Sequence, residues 1–124
     1  MEENDIIQQT LLYLDNWILE EDITSETTTM DYNKKVSRQE VLDYFNTATN
    51  YAISYTQNND ITGIDICNTA LCLWTAGLLW SKYNQNISNN LDETNANPFG
   101  YGDKLVIQAK QILKPYMKYT LQTY

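Results

Sequence analysis

One segment limits the folds open to this chain more than any other. In "DICNTALCLWTAGLLWSKY", Asp65 to Tyr83, apolar residues take almost every bearing of a helix: Ile66, Cys67, Ala70, Leu71, Leu73, Trp74, Leu78, Leu79 and Trp80. A helix apolar all round must be covered on several sides, so the rest of the chain has to wrap it. It is too short to cross a bilayer, which needs roughly 20 apolar residues, and Thr75 interrupts its most apolar part. Thr62 or Asp65 would cap its start. Gly77 lies in its interior at a cost of about 1 kcal/mol against alanine, which calls for another backbone close by, from the first or the fourth helix. So much apolar surface in a 14.4 kDa chain is also expected to exceed what one protomer covers, leaving part of it for an oligomer interface.

Three further segments carry helical periodicity. In "DIIQQTLLYLDNWILEE", Asp5 to Glu21, Ile7, Leu11, Leu14 and Ile18 recur at helical spacing with Leu12 and Trp17 on flanking positions, and Asn4 or Asp5 is the expected cap. Glu20 and Glu21 would stand at its C-terminal end, where the helix dipole disfavours anions. Ser37 opens the next helix with a capping box, "SRQE", and Val36 can staple onto Val41. Its apolar face runs through Val41, Phe45, Ala48, Ala52 and Tyr55, and "TQNND" closes it. The last helix starts near Asp103 in "GDKLVIQAKQILKPYMKY", buries Leu105, Ala109, Ile112, Leu113 and Tyr116, and kinks or stops near Lys114 because Pro115 lacks an N–H.

These periodicities predict an all-α, four-helix single domain. It divides into an acidic N-terminal helix and linker over 1–35, a helical core over 36–118 and a tail over 119–124. Short strand pieces are allowed in loop or tail, and Thr27 to Met30 reads equally as loop or edge strand. With 124 residues, one hydrophobic core is feasible and a second domain is not.

The longest break in the helical pattern is "NISNNLDETNANPFGYG", Asn86 to Gly102. It far exceeds the about two to eight residues that usually join packed helices. Pro98 restrains Asn97, while Gly100 and Gly102 open dihedrals denied to other residues around Phe99 and Tyr101. Two readings stand: these aromatics fold back over the bundle, or they contact a partner or a neighbouring subunit. Phe99, Gly100, Tyr101 and Gly102, with Tyr119, Leu121 and Tyr124 of the tail, are the candidate contact residues.

Reactive chemistry is sparse. The chain has no histidine, one arginine and two cysteines. Cys67 and Cys72, five apart, fall on different faces of one helix, cannot close a disulfide there and read as small buried hydrophobes. "NPFGYG" lacks the lysine and hydroxyl residue of a phosphate loop, and "DETNANPFGYGD" lacks the glycine and glutamate of a calcium loop. No catalytic residue, metal site or cofactor is expected, and the chain reads as a non-enzyme.

Charge is distributed unevenly. Residues 1–33 hold nine acidic side chains and no basic one, whereas 34–124 hold seven acidic and eight basic. Phosphate attraction drives nucleic-acid binding, so the N-terminal third opposes it, and no specific nucleic-acid recognition or membrane association is expected. The acidic start also differs from a secretory signal, which points to an intracellular protein.

The order of the capped helix "VSRQEVLDYFNTATNYAISYT", the apolar helix, the long polar loop ending in glycines and the closing "GDKLVIQAKQILKPYM" resembles the head-tail connector (adaptor or head completion) proteins of long-tailed bacteriophages, over residues 36–118. That resemblance implies a structural subunit of a dodecameric homo-oligomeric ring. It would dock on the portal protein, receive the next connector or tail-completion protein and join capsid to tail. The chain would reside in the virion at the head-tail junction, and in host cytoplasm during assembly. The acidic residues 1–33 extend further ahead of the capped helix than the resemblance leads one to expect. A second expectation follows from the charge alone: a small acidic regulatory protein that occupies a basic surface of a nucleic-acid enzyme.

Overall fold

A computed structural model describes residues 1–14, 17–23, 34–88 and 100–118. Among these residues it is all-α in architecture, with four helices and one very short strand pair. The helices are α1 (Glu3–Leu12), α2 (Arg38–Thr56), α3 (Asp65–Ser88) and α4 (Tyr101–Leu113). The strands β1 (Ile18–Leu19) and β2 (Lys35–Val36) pair in parallel, with Ile18 opposite Lys35 and Leu19 opposite Val36.

The apolar segment is the central rod, as its composition requires. Every residue from Ala70 to Gly77 is buried, as are Leu79, Trp80 and Tyr83. α1, α2 and α4 all pack against α3. The expected surplus of apolar surface is not found on it: within the described residues only Ile66 stands exposed and Leu78 half-buried. Neither Thr62 nor Asp65 caps α3. A short 3-10 turn over Asn59–Gly63 leads in, Asn68 N–H bonds the Ile64 carbonyl at 3.1 Å, and Asp65 occupies the first turn, where its charge suits the dipole.

Gly77 meets α4, one of the two neighbours expected for it. A Cβ placed there would lie 2.7 Å from Val106 Cγ2 and 2.8 Å from the Gly102 carbonyl oxygen. Reciprocally, a Cβ on Gly102 would lie 2.8 Å from the Gly77 carbonyl oxygen and 3.0 Å from Ser81 Oγ. Two glycines facing each other thus let the two backbones come within reach.

α2 starts at the predicted place. Ser37 Oγ accepts from Glu40 N–H at 3.0 Å, and Val36 and Val41 are fully buried. The return half of the capping box is replaced, because the Glu40 carboxylate pairs with Lys82 of α3. Thr56 ends the helix, and Gln57 adopts a left-handed conformation (φ 55°) with its N–H on the Ile53 carbonyl at 2.7 Å. α4 stops at Leu113, and a 3-10 turn over Lys114–Tyr116 carries Pro115, as the missing donor demands. Beyond it Lys118 N–H reaches the Thr56 carbonyl at 2.8 Å, and Asn58 Nδ2 donates to the Tyr116 carbonyl at 2.9 Å.

The N-terminal third departs from expectation. The helix predicted over Asp5 to Glu21 ends at Leu12, and Glu2 precedes it without a side-chain cap, so Asn4 and Asp5 are helical rather than capping. Tyr13 N–H turns back to the Thr10 carbonyl at 3.1 Å, Leu14 stays buried, and Ile18 and Leu19 become β1. Continuing would have put Glu20, Glu21 and Asp22 at the negative end of the dipole; they form a separate 3-10 turn instead. The loop expected over Asn86 to Gly102 is shorter at both ends, since α3 runs to Ser88 and α4 begins at Tyr101. Asp103 therefore sits inside the first turn of α4, with Gly100 at its cap position. The alternatives for Thr27 to Met30 and the tail from Tyr119 to Tyr124 lie outside the described residues.

Candidate functional site

Of the candidate contact residues, Phe99, Tyr119, Leu121 and Tyr124 lie outside the described residues. Gly100, Tyr101 and Gly102 are placed, and they diverge. None of the chain's glycines has a positive φ; Gly100, at the cap position of α4, has φ −72° and ψ −81°, outside the regular regions, whereas Gly102 is helical, so the unusual dihedrals expected of Gly102 do not apply. Gly102 is buried against α3, where the absent side chain is what matters. Gly100 is half-buried. Tyr101 remains 44% exposed yet folds back on the bundle: its hydroxyl donates to the Tyr13 carbonyl at 3.0 Å, and its ring meets Trp80 edge-on with centroids 5.3 Å apart.

That contact belongs to a larger aromatic group. Trp17 packs edge-on against Trp80 (5.6 Å) and Tyr83 (5.4 Å), and Trp80 against Tyr83 (5.3 Å). Such T-shaped pairs place the positive ring edge of one on the negative face of the next, worth about 0.5–1.5 kcal/mol each beyond burial. Lys34 Nζ lies 5.7 Å from the Trp80 ring centroid, within range of the same negative face. The indole N–H groups of Trp17 and Trp80 are buried without hydrogen-bond partners. Outside this group Leu12, Tyr13, Trp80 and Tyr101 line an open cleft of about 420 Å³. Leu12 on its rim is 80% exposed.

A second groove of about 400 Å³ runs between α2 and α3, with Tyr44, Tyr51 and Lys82 among its walls. Outside this groove Lys110 Nζ lies 5.5 Å from the Tyr55 centroid and 5.6 Å from that of Trp74; within it Lys82 Nζ lies 5.8 Å from the Tyr44 centroid. Glu40 beside it pushes the Lys82 ammonium above its ordinary range, so that side chain is charged throughout physiological pH.

Neither cleft is lined by a cysteine. Cys67 and Cys72 are free thiols buried in the core; burial pushes both upward, Cys72 to about 11, against a smaller opposing effect of the Thr10 hydroxyl. No group of three or more His, Cys, Asp or Glu side chains is placed to hold a metal among the described residues. No described helix is long and apolar enough to cross a membrane. The surface offers apolar area, ring faces and charge, which is the chemistry of contact.

Sequence reasoning found Tyr101 but missed its companions. Leu12 and Trp17 read as flanks of a helical stripe, and Trp80 as a core anchor; their meeting depends on α1 stopping at Leu12. The one available signal was Leu12 itself, which lies off the Ile7, Leu11 and Leu14 stripe. Set against family models, curated proteins and solved structures, the chain matches none.

Proposed function

We propose that this chain acts by assembly rather than by chemistry, as a subunit of a bacteriophage head-tail connector ring that docks on the portal and joins capsid to tail. The observation that carries this reading is the open aromatic cleft, where the rings of Tyr13, Trp80 and Tyr101 stand beside an exposed Leu12. Supporting it is the order of a capped α2, a buried α3 and a glycine-led α4, the feature on which the resemblance rests. The portal would template the ring, and neighbouring subunits would cover what one copy leaves exposed.

The test is co-sedimentation of the purified chain with portal rings. Bound protein in a fixed ratio to portal subunits, with binding reduced by Leu12→Ser or Tyr101→Ala, is the expected result. A chain that never migrates with portal rings overturns the reading.

One observation favours a second reading. Glu2, Glu3, Asp5, Glu20, Glu21 and Asp22 are all exposed, with Arg38 among them donating to Asn4 Oδ1 at 2.7 Å, and this excess of carboxylates suits a basic groove on a nucleic-acid enzyme. Neutralising Glu2, Glu3, Asp5, Glu20 and Glu21 would abolish such inhibition, whereas portal docking would survive it.

A further inference from the structure

The groove between α2 and α3 is one end of a longer aromatic row. Tyr44, Thr47 and Tyr51 recur at helical spacing on one face of α2, and Leu78, Ser81 and Lys82 of α3 line the groove with them. Tyr55, one turn further along α2, continues that face beyond the groove. Tyr51 and Tyr55 both meet Trp74, with ring centroids 6.4 Å and 6.2 Å away. Tyr51 is nonetheless 52% exposed, so the row has a ring open to a further occupant.

The C-terminal chain arrives at the lower end of this row. Lys118 N–H bonds the Thr56 carbonyl at 2.8 Å, and Asn58 Nδ2 donates to the Tyr116 carbonyl at 2.9 Å. These two bonds fix the point from which "YTLQTY", residues 119–124, departs; those six residues lie outside the described ones. Thr56 follows Tyr55, so the point of departure adjoins the row. Six residues span about 20 Å when extended, at about 3.3–3.6 Å each. Along α2, at about 1.5 Å per residue, Thr56 stands about 8 Å from Tyr51 and about 18 Å from Tyr44. The whole groove is therefore within reach.

The chemistry of the groove suits this segment. Lys82, the one cation among its described lining residues, is paired with Glu40, so an anionic ligand finds no unspent charge there. The tail carries the large side chains of Tyr119, Leu121 and Tyr124 and no charged one, and entering the groove strips no ion of its water. The Thr47 and Ser81 hydroxyls already donate, to the Asp43 carbonyl at 3.2 Å and the Gly77 carbonyl at 3.0 Å, and so offer lone pairs to tail N–H groups or the Gln122 amide. In an extended segment alternate side chains share a face, which sets Tyr119 and Leu121 on the same side.

We propose that residues 119–124 dock in the α2–α3 groove of their own chain, with Tyr119 beside Tyr55 and Lys110 and with Leu121 between Tyr51 and Leu78. A tether this short holds the tail at an effective concentration on the order of millimolar, which favours the chain's own groove over that of a second copy. Tyr119 and Leu121 then complete one subunit, and the groove is withdrawn from the surface offered to partners. The contact does not depend on the connector reading, which rests on the cleft at Leu12 and Tyr101.

A nitroxide attached at Thr123→Cys of the full chain tests this, since Cys67 and Cys72 are buried and leave the added thiol to react. In amide NMR spectra the signals of Thr47, Tyr51 and Ser81 should be lost, and those of Asp60 and Thr62, in the turn just past α2, should persist. Adding Tyr119→Ser/Leu121→Ser keeps tether and label in place but should abolish that selectivity, so that groove and turn weaken alike. An isotope-labelled chain without nitroxide, mixed with an unlabelled nitroxide chain, should lose no signal. Equal weakening of groove and turn with the unaltered tail, a pattern that survives the double serine variant, or loss in the mixed sample, which marks a second copy as the occupant, overturns docking within the chain. None of these outcomes bears on co-sedimentation with portal rings, so the two readings fail separately.

Discussion

Gly77→Ala is the sharpest probe of how α3 and α4 meet. By helix propensity alone the change should stabilise α3 by about 1 kcal/mol. The crossing opposes this, since the new methyl carbon would sit 2.7 Å from Val106 Cγ2 and 2.8 Å from the Gly102 carbonyl oxygen, where about 3.5–4.0 Å is comfortable for carbon pairs. Val106 can change rotamer, but the Gly102 carbonyl is helix backbone and moves only with α4. Overpacking costs about 1–3 kcal/mol, and a backbone displacement puts this site at the upper end. Net destabilisation is therefore about 2 kcal/mol, or a melting temperature lower by about 8 °C at about 4 °C per kcal/mol for a chain of this size. Thermal melts followed by far-UV circular dichroism would read it, with Gly63→Ala as control, because nothing lies within 4 Å of a Cβ there. Adding Val106→Ala should recover only part of the loss, since the carbonyl overlap remains. A Gly77→Ala chain that melts at or above the parent would refute the close approach.

Ser37→Ala removes the acceptor for Glu40 N–H and should cost about 1 kcal/mol in urea unfolding, as loss of an N-cap does. Gln57→Gly should raise stability by up to about 1 kcal/mol, because Gln57 holds a left-handed conformation that glycine adopts freely, less the bond from its Nε2 to the Ser54 carbonyl. The Cys72 thiol has its pKa raised from 9.0 to about 11, so the folded state favours the protonated form; that contribution is complete below about pH 9 and disappears as pH climbs to about 11. Iodoacetamide at mildly alkaline pH should accordingly alkylate Cys72 far more slowly in the folded chain than in urea, and equal rates would contradict its burial.

The segments whose burial is dictated by local composition were legible. α3 could be placed because no orientation gave it a polar face, and α2 because a serine three residues before a glutamate marks a start that needs no tertiary information. Pro115 fixed the end of α4 by chemistry alone. The α1 boundary was not legible, because the spacing of Ile7, Leu11, Leu14 and Ile18 fits a continuous helix as well as a helix followed by a turn and a strand. What decides between them is long-range: Trp17 gains Trp80 and Tyr83 as neighbours, and Ile18 N–H gains the Lys34 carbonyl at 3.1 Å, contacts that no window around residue 17 contains. Unfavourable charge at Glu20 to Asp22 was the visible hint, since it set a cost on continuing. Gly102 was misread for a related reason. A glycine next to Pro98 and Gly100 suggests a turn, and only the position of Gly77 on another helix reveals a need for closeness instead of freedom.

Tyr101 and Gly102 are sequence neighbours on one helical turn, so the packing of one positions the other. Gly102 lets α4 approach α3; that approach places the Tyr101 hydroxyl 3.0 Å from the Tyr13 carbonyl and its ring on Trp80. An outward shift of α4 by about 1 Å, the displacement Gly77→Ala demands, would stretch a 3.0 Å bond to about 4 Å, beyond useful hydrogen-bond range. Tyr101→Phe should then cost about 0.5–1 kcal/mol in the parent chain, where a partly exposed hydrogen bond is lost, and close to nothing in the Gly77→Ala background. A double-mutant cycle from urea unfolding measures that difference as a coupling energy. An identical cost in both backgrounds would mean that the aromatic cleft is held by α1 and the Trp17 cluster independently of the glycine crossing, and contact surface and core packing would then be separable in this protein.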